Sequence, residues 1–492
     1  MLAQEFEWCS LMDNYCHSVH LVESKCKGCV NCIKRCPTEA IRVREGKAHI
    51  IEERCIDCGE CVRNCPNEAK AVLSDHMAQL GEFDYTVALP APALYGQFPE
   101  GTPPREVLAA LLTIGFDHAD DVAFGADLVA MRIRESLAAS RSVRPMISSA
   151  CPSVVRLIQV RFPNLVGNLI PVISPMRAAA TIARYEVSRM TDIPDERVGV
   201  FFITPCPGKI SAVNAPAMYE DLVISGAIPI AEVYPLILDK LRHSPDEINS
   251  VIDRLHPGSG LGLGWARSGG EVQSIGEDRQ IAVDGIHSVI DILEDVERGK
   301  LSDIDYIEAQ ACVGGCVGGV LTVENPFITR RRIRILAAEY ADTVKEVESS
   351  PLAREVMAYE DWFKHDKPIE PRPALKLDDD MAVAIRKMDQ MKRILDDLPG
   401  LDCGSCGAPN CQALAEDVVR DLATEMDCMF KLRERVRELA GEMMGLAEKV
   451  PPAMGHGDRK IVTSQSEGTE ENDVVERSGG ESEPGSGESA GK

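Results

Sequence analysis

One run of cysteines occurs twice near the start of this chain and limits what it can fold into. KCKGCVNCIKRCPTEA begins at Lys25 and RCIDCGECVRNCPNEA at Arg54, so Cys26, Cys29, Cys32 and Cys36 recur as Cys55, Cys58, Cys61 and Cys65. Both copies read C-x2-C-x2-C-x3-C-P. That spacing holds paired [4Fe–4S] clusters, with the fourth cysteine of each run serving the other cluster. One cube is thus assigned Cys26, Cys29, Cys32 and Cys65, and the other Cys55, Cys58, Cys61 and Cys36. Soft thiolates suit iron, and short spacing lets one loop wrap a cube at little entropic cost. Zinc sites pair two C-x2-C hooks across a longer insert, which this doubled spacing lacks.

The chain has 18 cysteines in 492 residues, and two further groups carry chemistry. Near the end, DCGSCGAPNCQALAEDVVRDLATEMDC offers Cys403, Cys406, Cys411 and Cys428. Gly404 and Gly407 permit tight turns, and helical spacing over 411–425 (Leu414, Val418, Leu422) returns Cys428 at the far end of a helix. Four thiolates alone do not choose between a cube and zinc. In the middle, Cys151, Cys206, Cys312 and Cys316 each follow an apolar run (145–149, 198–203, 305–311). Those runs read as buried parallel strands, with helical patterns over 154–161, 176–190 and 286–297 between them. The cysteines then sit at the carboxyl ends of strands, where open α/β sheets bind ligands.

These middle segments resemble the H-domain of [FeFe]-hydrogenases, whose signatures T-S-C-C-P, M-P-C-x-x-K and E-x-M-A-C-x-x-G-C-x-x-G-G occur in this order. Here they read Ser148-Ser149-Ala150-Cys151-Pro152, Thr204-Pro205-Cys206-Pro207-Gly208-Lys209, and Glu308-Ala309-Gln310-Ala311-Cys312 through Cys316 to Gly319. The resemblance implies that Cys151, Cys206, Cys312 and Cys316 hold a cube that Cys316 bridges to a two-iron unit with CO and CN⁻ ligands, and that Lys209 donates to a cyanide. Ala91-Pro92-Ala93-Leu94 and the glycine-rich stretch from Gly264 to Gly270 are similar to the family's pocket walls. The first cysteine of the family's Cys-Cys pair passes protons, and here it is Ala150, which has neither donor nor acceptor. Ile133 and Ser136 stand where the family has proton-path glutamates, and Met176 and Gln310 replace its usual Gln and Met. These departures resemble the sensory branch of the family. The doubled run resembles bacterial two-cluster ferredoxins, and the last group resembles small single-cluster [4Fe–4S] domains.

The expected organisation is a ferredoxin-like α+β module over 1–78 and an α/β H-cluster domain of two lobes with mainly parallel sheets over 79–375. A linker at 366–380, a small helical [4Fe–4S] domain over 381–449 and a disordered acidic tail over 451–492 complete it. Three [4Fe–4S] clusters plus an H-cluster are expected. The expected activity is reversible H2/proton chemistry, slow and serving hydrogen or redox sensing, with Cys316 and Lys209 at the reacting centre. The alternative is an electron carrier or scaffold holding cubes only. A ferredoxin or signalling protein is the expected partner.

Net charge of −25 argues against nucleic-acid or membrane-surface binding, and Arg330-Arg331-Arg332 with Arg334 reads as a solvated helix face. No export signal or membrane span is legible, so a reducing cytoplasmic setting is expected. The glycine run 258–264 lacks a lysine and precedes no clear helix, so it is a poor phosphate loop. Leu432, Val436, Leu439, Met443 and Leu446 form a seam that suits a homodimer, a signalling partner or the chain's own domain. Cys9 and Cys16, near His17 and His20, read as ordinary free thiols.

Overall fold

The computed structural model describes residues 17–139, 143–216, 223–255, 257–276 and 278–449. Cys9, Cys16 and the 451–492 tail lie outside the described residues.

The doubled cysteine run folds on four short strands, β1 (Val19–Leu21), β2 (Ile41–Arg44), β3 (Lys47–Ile50) and β4 (Lys70–Val72). β1 pairs antiparallel with β4, and β2 with β3. Glu45 and Gly46 both take positive φ at the β2–β3 turn, as a tight hairpin requires. The sequence repeat is also a backbone repeat. Glu39 and Glu68 are both left-handed, and the amides that follow them, at Ala40 and Ala69, donate to the sulfurs of Cys36 and Cys65 at 3.2 Å each.

Seven strands build the central part: β5 (Tyr85–Pro90), β6 (His118–Ala119), β7 (Met146–Ile147), β8 (Val198–Thr204), β9 (Gly226–Pro229), β10 (Gln280–Asp284) and β11 (Tyr306–Gln310). They form two sheets, ordered β6-β5-β8-β9 and β10-β11-β7. Every pairing in both is parallel. The expected two-lobed, parallel α/β architecture is therefore present. All seven residues of β8 are buried. Val200 and Phe202 pack into one core, and Phe201 and Ile203 into another on the opposite face. A strand covered on both faces needs the continuous apolar run seen there, not an alternating one. The helices Pro152–Arg161, Pro175–Met190 and Ile286–Glu297 fall where the periodicity predicts.

Two local expectations are corrected. The helix after Cys411 ends at Val419 rather than running to 425. Asp421 is left-handed, its amide bonds back to Val418 O, and the Leu422 amide reaches Asp417 O. That closure is a Schellman turn, and it leaves Leu422 exposed. The glycine run does contain a helix, Gly260–Gly264, capped by Ser259. A Cβ on Gly260 would lie 2.2 Å from Ala337 O and one on Gly262 2.1 Å from Ala123 O. The glycines serve close packing. Ser259 bonds the buried Asp127 carboxylate through both amide and hydroxyl, so no phosphate belongs there.

Arg330, Arg331 and Arg334 are exposed on the helix Pro326–Glu339, as expected of a solvated face. No helix among the described residues is long and apolar enough to cross a membrane. The helix Met429–Ala447 buries none of its residues, and Leu432, Val436, Leu439, Met443 and Leu446 are all exposed.

Candidate metal centres and active site

The four middle cysteines leave the carboxyl ends of strands in both sheets. Cys151 follows β7 and Cys206 follows β8, each as the cap of a helix whose first residue is proline. Proline suits that position, because its missing N–H would have no helical partner anyway. Cys312 and Cys316 follow β11.

These cysteines share one place. Burial pushes the Cys206 thiol up to about 11, with the Cys151 charge next in effect. Burial and the charges of Cys206 and Cys151 raise Cys312 well above its ordinary value and Cys316 to about 12. Bare thiolates are disfavoured in such a site, and a bound metal removes the penalty by deprotonating the sulfur outright.

The loops carrying them are in glycine-limited contact. A Cβ on Gly319 would fall 2.1 Å from Pro205 O, and Gly315 is left-handed at φ +97 beside Gln310 and Ser268. The donor set and these close approaches fit a cube bound by four thiolates.

A cavity lies between the sheets, lined by Cys151 and Cys316 together with Ala91, Pro92 and Ala93 after β5, Met176, Phe202, Trp265 and Gln310. Lys209 lines it too. It is buried, and Nζ donates to Ala150 O at 2.8 Å. Burial lowers its pKa, while the charges of Cys316, Cys206 and Cys151 oppose that fall. A buried cation facing cysteine sulfurs fits an anionic group held in a mostly apolar cavity.

Sequence reasoning missed Glu271, one residue beyond the pocket wall it identified. Glu271 lines the same cavity, is buried, and accepts from Ser148 Oγ at 2.9 Å and Tyr306 Oη at 2.6 Å. Burial first, and the charge of Glu308 second, push its carboxyl up to about 8. Glu308 is itself buried and raised by burial, with its oxygens held by the Gly269 and Val272 amides at 2.9 Å. The signal in the sequence was an acidic residue directly after the glycine pair that ends the pocket-wall segment. Ile133, by contrast, packs into the hydrophobic core, away from the cavity.

The other predicted ligand sets also gather. Cys26, Cys29, Cys32 and Cys65 line one cavity, and Cys36, Cys55, Cys58 and Cys61 line a second, so the fourth cysteine of each run does cross over. Lys70 lines the first cavity, and its buried Nζ has no hydrogen-bond partner. A buried ammonium without a hydrogen-bond partner, lining a cavity with four cysteines, fits an anionic cluster. Cys403, Cys406, Cys411 and Cys428 line a third cavity. All sixteen cysteines of these sets are free of disulfides.

The loop between Cys55 and Cys58 is keyed into the central site. Asp57 is buried, and its carboxylate takes Arg156 Nη1 at 2.5 Å, Ser211 Oγ at 2.8 Å and the Ser18 amide at 3.1 Å. Arg156 lies on the helix after Cys151, and Ser211 on the helix after Cys206. Arg63 donates to Gly318 O at 2.7 Å, beside Cys316.

Comparison with known families agrees with this geometry. Residues 84–320 match the model described as "Iron only hydrogenase large subunit, C-terminal domain". They belong to the iron-only hydrogenase family. Residues 18–66 match a 4Fe-4S dicluster domain, and 398–430 match an Fe-S cluster family.

Two curated hydrogenases are similar to the chain. Iron hydrogenase 1 of Clostridium pasteurianum is 24% identical over 255 residues, which is 44% of either chain. The NADP-reducing hydrogenase subunit HndD of Solidesulfovibrio fructosivorans is 27% identical over 200 residues, covering 39% of this chain and 31% of that protein. The chain thus spans less than half the length of the curated relatives it matches. Among solved structures, a variant of [FeFe]-hydrogenase HydA1 from Chlamydomonas reinhardtii aligns with TM-score 0.45 at 17% identity, over 60% of this chain and 98% of that one. By the family matches, the hydrogenase-like stretch 84–320 is flanked in the chain by two stretches that match iron–sulfur families.

Proposed function

We propose that the protein interconverts H2 with two protons and two electrons, slowly, and serves as a hydrogen or redox sensor. The observation that carries this reading is that Cys151 and Cys316 line one cavity with Lys209, while Cys206 and Cys312 lie close enough for the four sulfurs to act on one another's charge. The two-iron unit, when bound, supplies the centre at which hydrogen is split or formed. The chain's own residues set the conditions around it. The four cysteines would hold the cube, Cys316 standing on the side of the cavity where the two-iron unit would sit, and Lys209 would offer a cation to an anionic ligand. Met176, Phe202 and Trp265 keep water out.

Proton handling is where this chain differs. Ala150 lines the cavity but can neither give nor take a proton. Glu271 is the carboxyl that lines it, and it stays protonated near neutral pH. We assign it the proton-holding role. A buried carboxyl without a thiol to hand protons across is a slow route, which suits a protein whose output is the redox state of its clusters. Two ferredoxin-type clusters and one C-terminal cluster complete the set, read by a ferredoxin or a signalling protein in a reducing, cytoplasmic setting. The exposed seam on Met429–Ala447 suits a second copy of the chain.

Infrared spectroscopy of anaerobically matured protein tests the reading. Terminal CO and CN⁻ stretches are expected. Their absence from protein with full iron content would leave the carrier or scaffold alternative.

A further inference from the structure

The C-terminal cysteine module does not hang on a tether. Its helix Cys411–Val419 lies against the ferredoxin module through buried charges. Asp417 accepts from Arg42 Nε and Arg44 Nη2, both at 2.7 Å, and Glu416 takes both terminal nitrogens of Arg54. Arg42, Arg54 and Asp417 are nearly inaccessible to water. Burial opposes ionisation of Glu416, but Arg54 and Arg420 hold its carboxyl below the ordinary value.

The cluster loop itself is fixed as well. The Val43 amide donates to Gly407 O at 2.8 Å, Arg44 Nη1 to Cys406 O at 3.0 Å, and Lys34 Nζ to Pro409 O at 2.6 Å and to Asp402 O. A Cβ on Gly407, at φ +80, would lie 1.9 Å from Val43 O. One on Gly404, next to Cys403, would touch Val30, Ile33 and Lys34 at 3.3–3.5 Å. Those three residues flank Cys29, Cys32 and Cys36, so one cluster loop packs directly on the other.

Buried ion pairs contribute little net stability, but they impose one geometry. Here that geometry is a cysteine loop held against a cysteine loop. The Cys55–Cys65 run of the same module meets the central domain through Asp57 and Arg63. The ferredoxin module therefore contacts both the C-terminal cysteine loop and the hydrogenase domain. Cys403 is exposed, while Cys428 is buried.

We propose that the C-terminal cluster is a fixed relay and the electron port of the molecule, positioned by Arg42, Arg44, Arg54, Glu416 and Asp417. Each step moves one electron between neighbouring cubes. The donor cube is oxidised, its neighbour is reduced, and no bond forms or breaks. At the Cys403 edge the electron passes to an external one-electron redox protein, which is reduced. This inference rests on the iron–sulfur reading of the three modules, and needs the hydrogen reading only for the source of the electrons.

The test uses the full chain with its clusters loaded and chemically reduced by dithionite, so the hydrogen reading is not needed for it. Low-temperature electron paramagnetic resonance is expected to show lines split by coupling between the C-terminal cluster and the ferredoxin clusters. Cys411→Ser, with iron content lower by one cube, should remove that splitting. The double variant Glu416→Gln/Asp417→Asn should weaken it while iron content stays whole. In stopped-flow mixing, oxidised bacterial ferredoxin should reoxidise the two ferredoxin-type clusters on the order of tenfold more slowly in Cys411→Ser. Spectra that are a plain sum of isolated clusters in the native protein would overturn the proposal, whether or not the variants fold. So would splitting that survives in Cys411→Ser, or equal reoxidation rates. Missing CO and CN⁻ bands with the splitting intact would sink the hydrogen reading alone.

Discussion

Ala150 and Glu271 face the same cavity with opposite capacities. The alanine removes a proton donor, and the glutamate keeps a proton where it is buried. A positioned acid or base contributes about 10²- to 10⁴-fold to a rate. Ala150→Cys restores a thiol at the cavity wall, and hydrogen oxidation with a viologen dye is expected to rise by about 10²-fold. An unchanged rate would show that proton supply does not limit turnover.

Glu271→Gln keeps size and hydrogen bonding but cannot exchange a proton. Residual hydrogen oxidation should drop by about 10-fold or more, with the cyanide and carbonyl bands unshifted. The sign of its effect on stability follows from its surroundings, where Glu308, Tyr306 and Lys209 face it. The folded carboxyl titrates near 8, against an ordinary value of 4.5, so folding favours its neutral form. That contribution is full below 4.5 and is lost as pH rises through about 8. Glu271→Gln should therefore flatten the decline of melting temperature across that window.

At the scale of elements, chemistry sits where chain direction reverses. Each middle cysteine lies in the loop after a parallel strand, and Cys151 and Cys206 also cap helices that begin with proline. Glycines then set how closely the loops approach, as Gly319 does against Pro205 O. The helix Cys411–Val419 carries both Cys411, which lines the third cysteine cavity, and the acidic pair that docks the helix. Asp417→Ala leaves Arg42 buried without its carboxylate, a loss of about 3–5 kcal/mol. In thermal melts followed by cluster absorbance, the C-terminal cluster should bleach first in this variant. Simultaneous loss of all clusters at the native temperature would contradict it.

On the scale of the whole molecule, three iron–sulfur modules adjoin in series. The ferredoxin module uses one loop for the hydrogenase domain and another segment for the C-terminal cysteines. Beyond them, the helix Met429–Ala447 presents exposed apolar side chains at coiled-coil spacing. If a second copy covers that seam, Leu439→Glu shifts the mass measured by light scattering from dimer to monomer with iron content unchanged. A native monomer at micromolar concentration would rule the dimer out.

The amino-acid order by itself grouped the cysteines into the sets that line common cavities, because iron–sulfur spacing is local. C-x2-C-x2-C-x3-C-P places three thiolates of a cube within one loop, and β8 declares itself by the apolar run 198–203. It also identified the central quartet through the residues around each cysteine and the resemblance they carry. The helix end at Val419 was less legible, since Asp421 rather than a glycine takes the left-handed turn. Only the tertiary structure decided that Glu271 reaches the cavity, that Asp57 joins Arg156, and that Asp417 meets Arg42 and Arg44. Those partners lie 99 to 375 positions apart. Buried charges pair through space, and nothing in the local periodicity of a chain records which distant side chain will complete them.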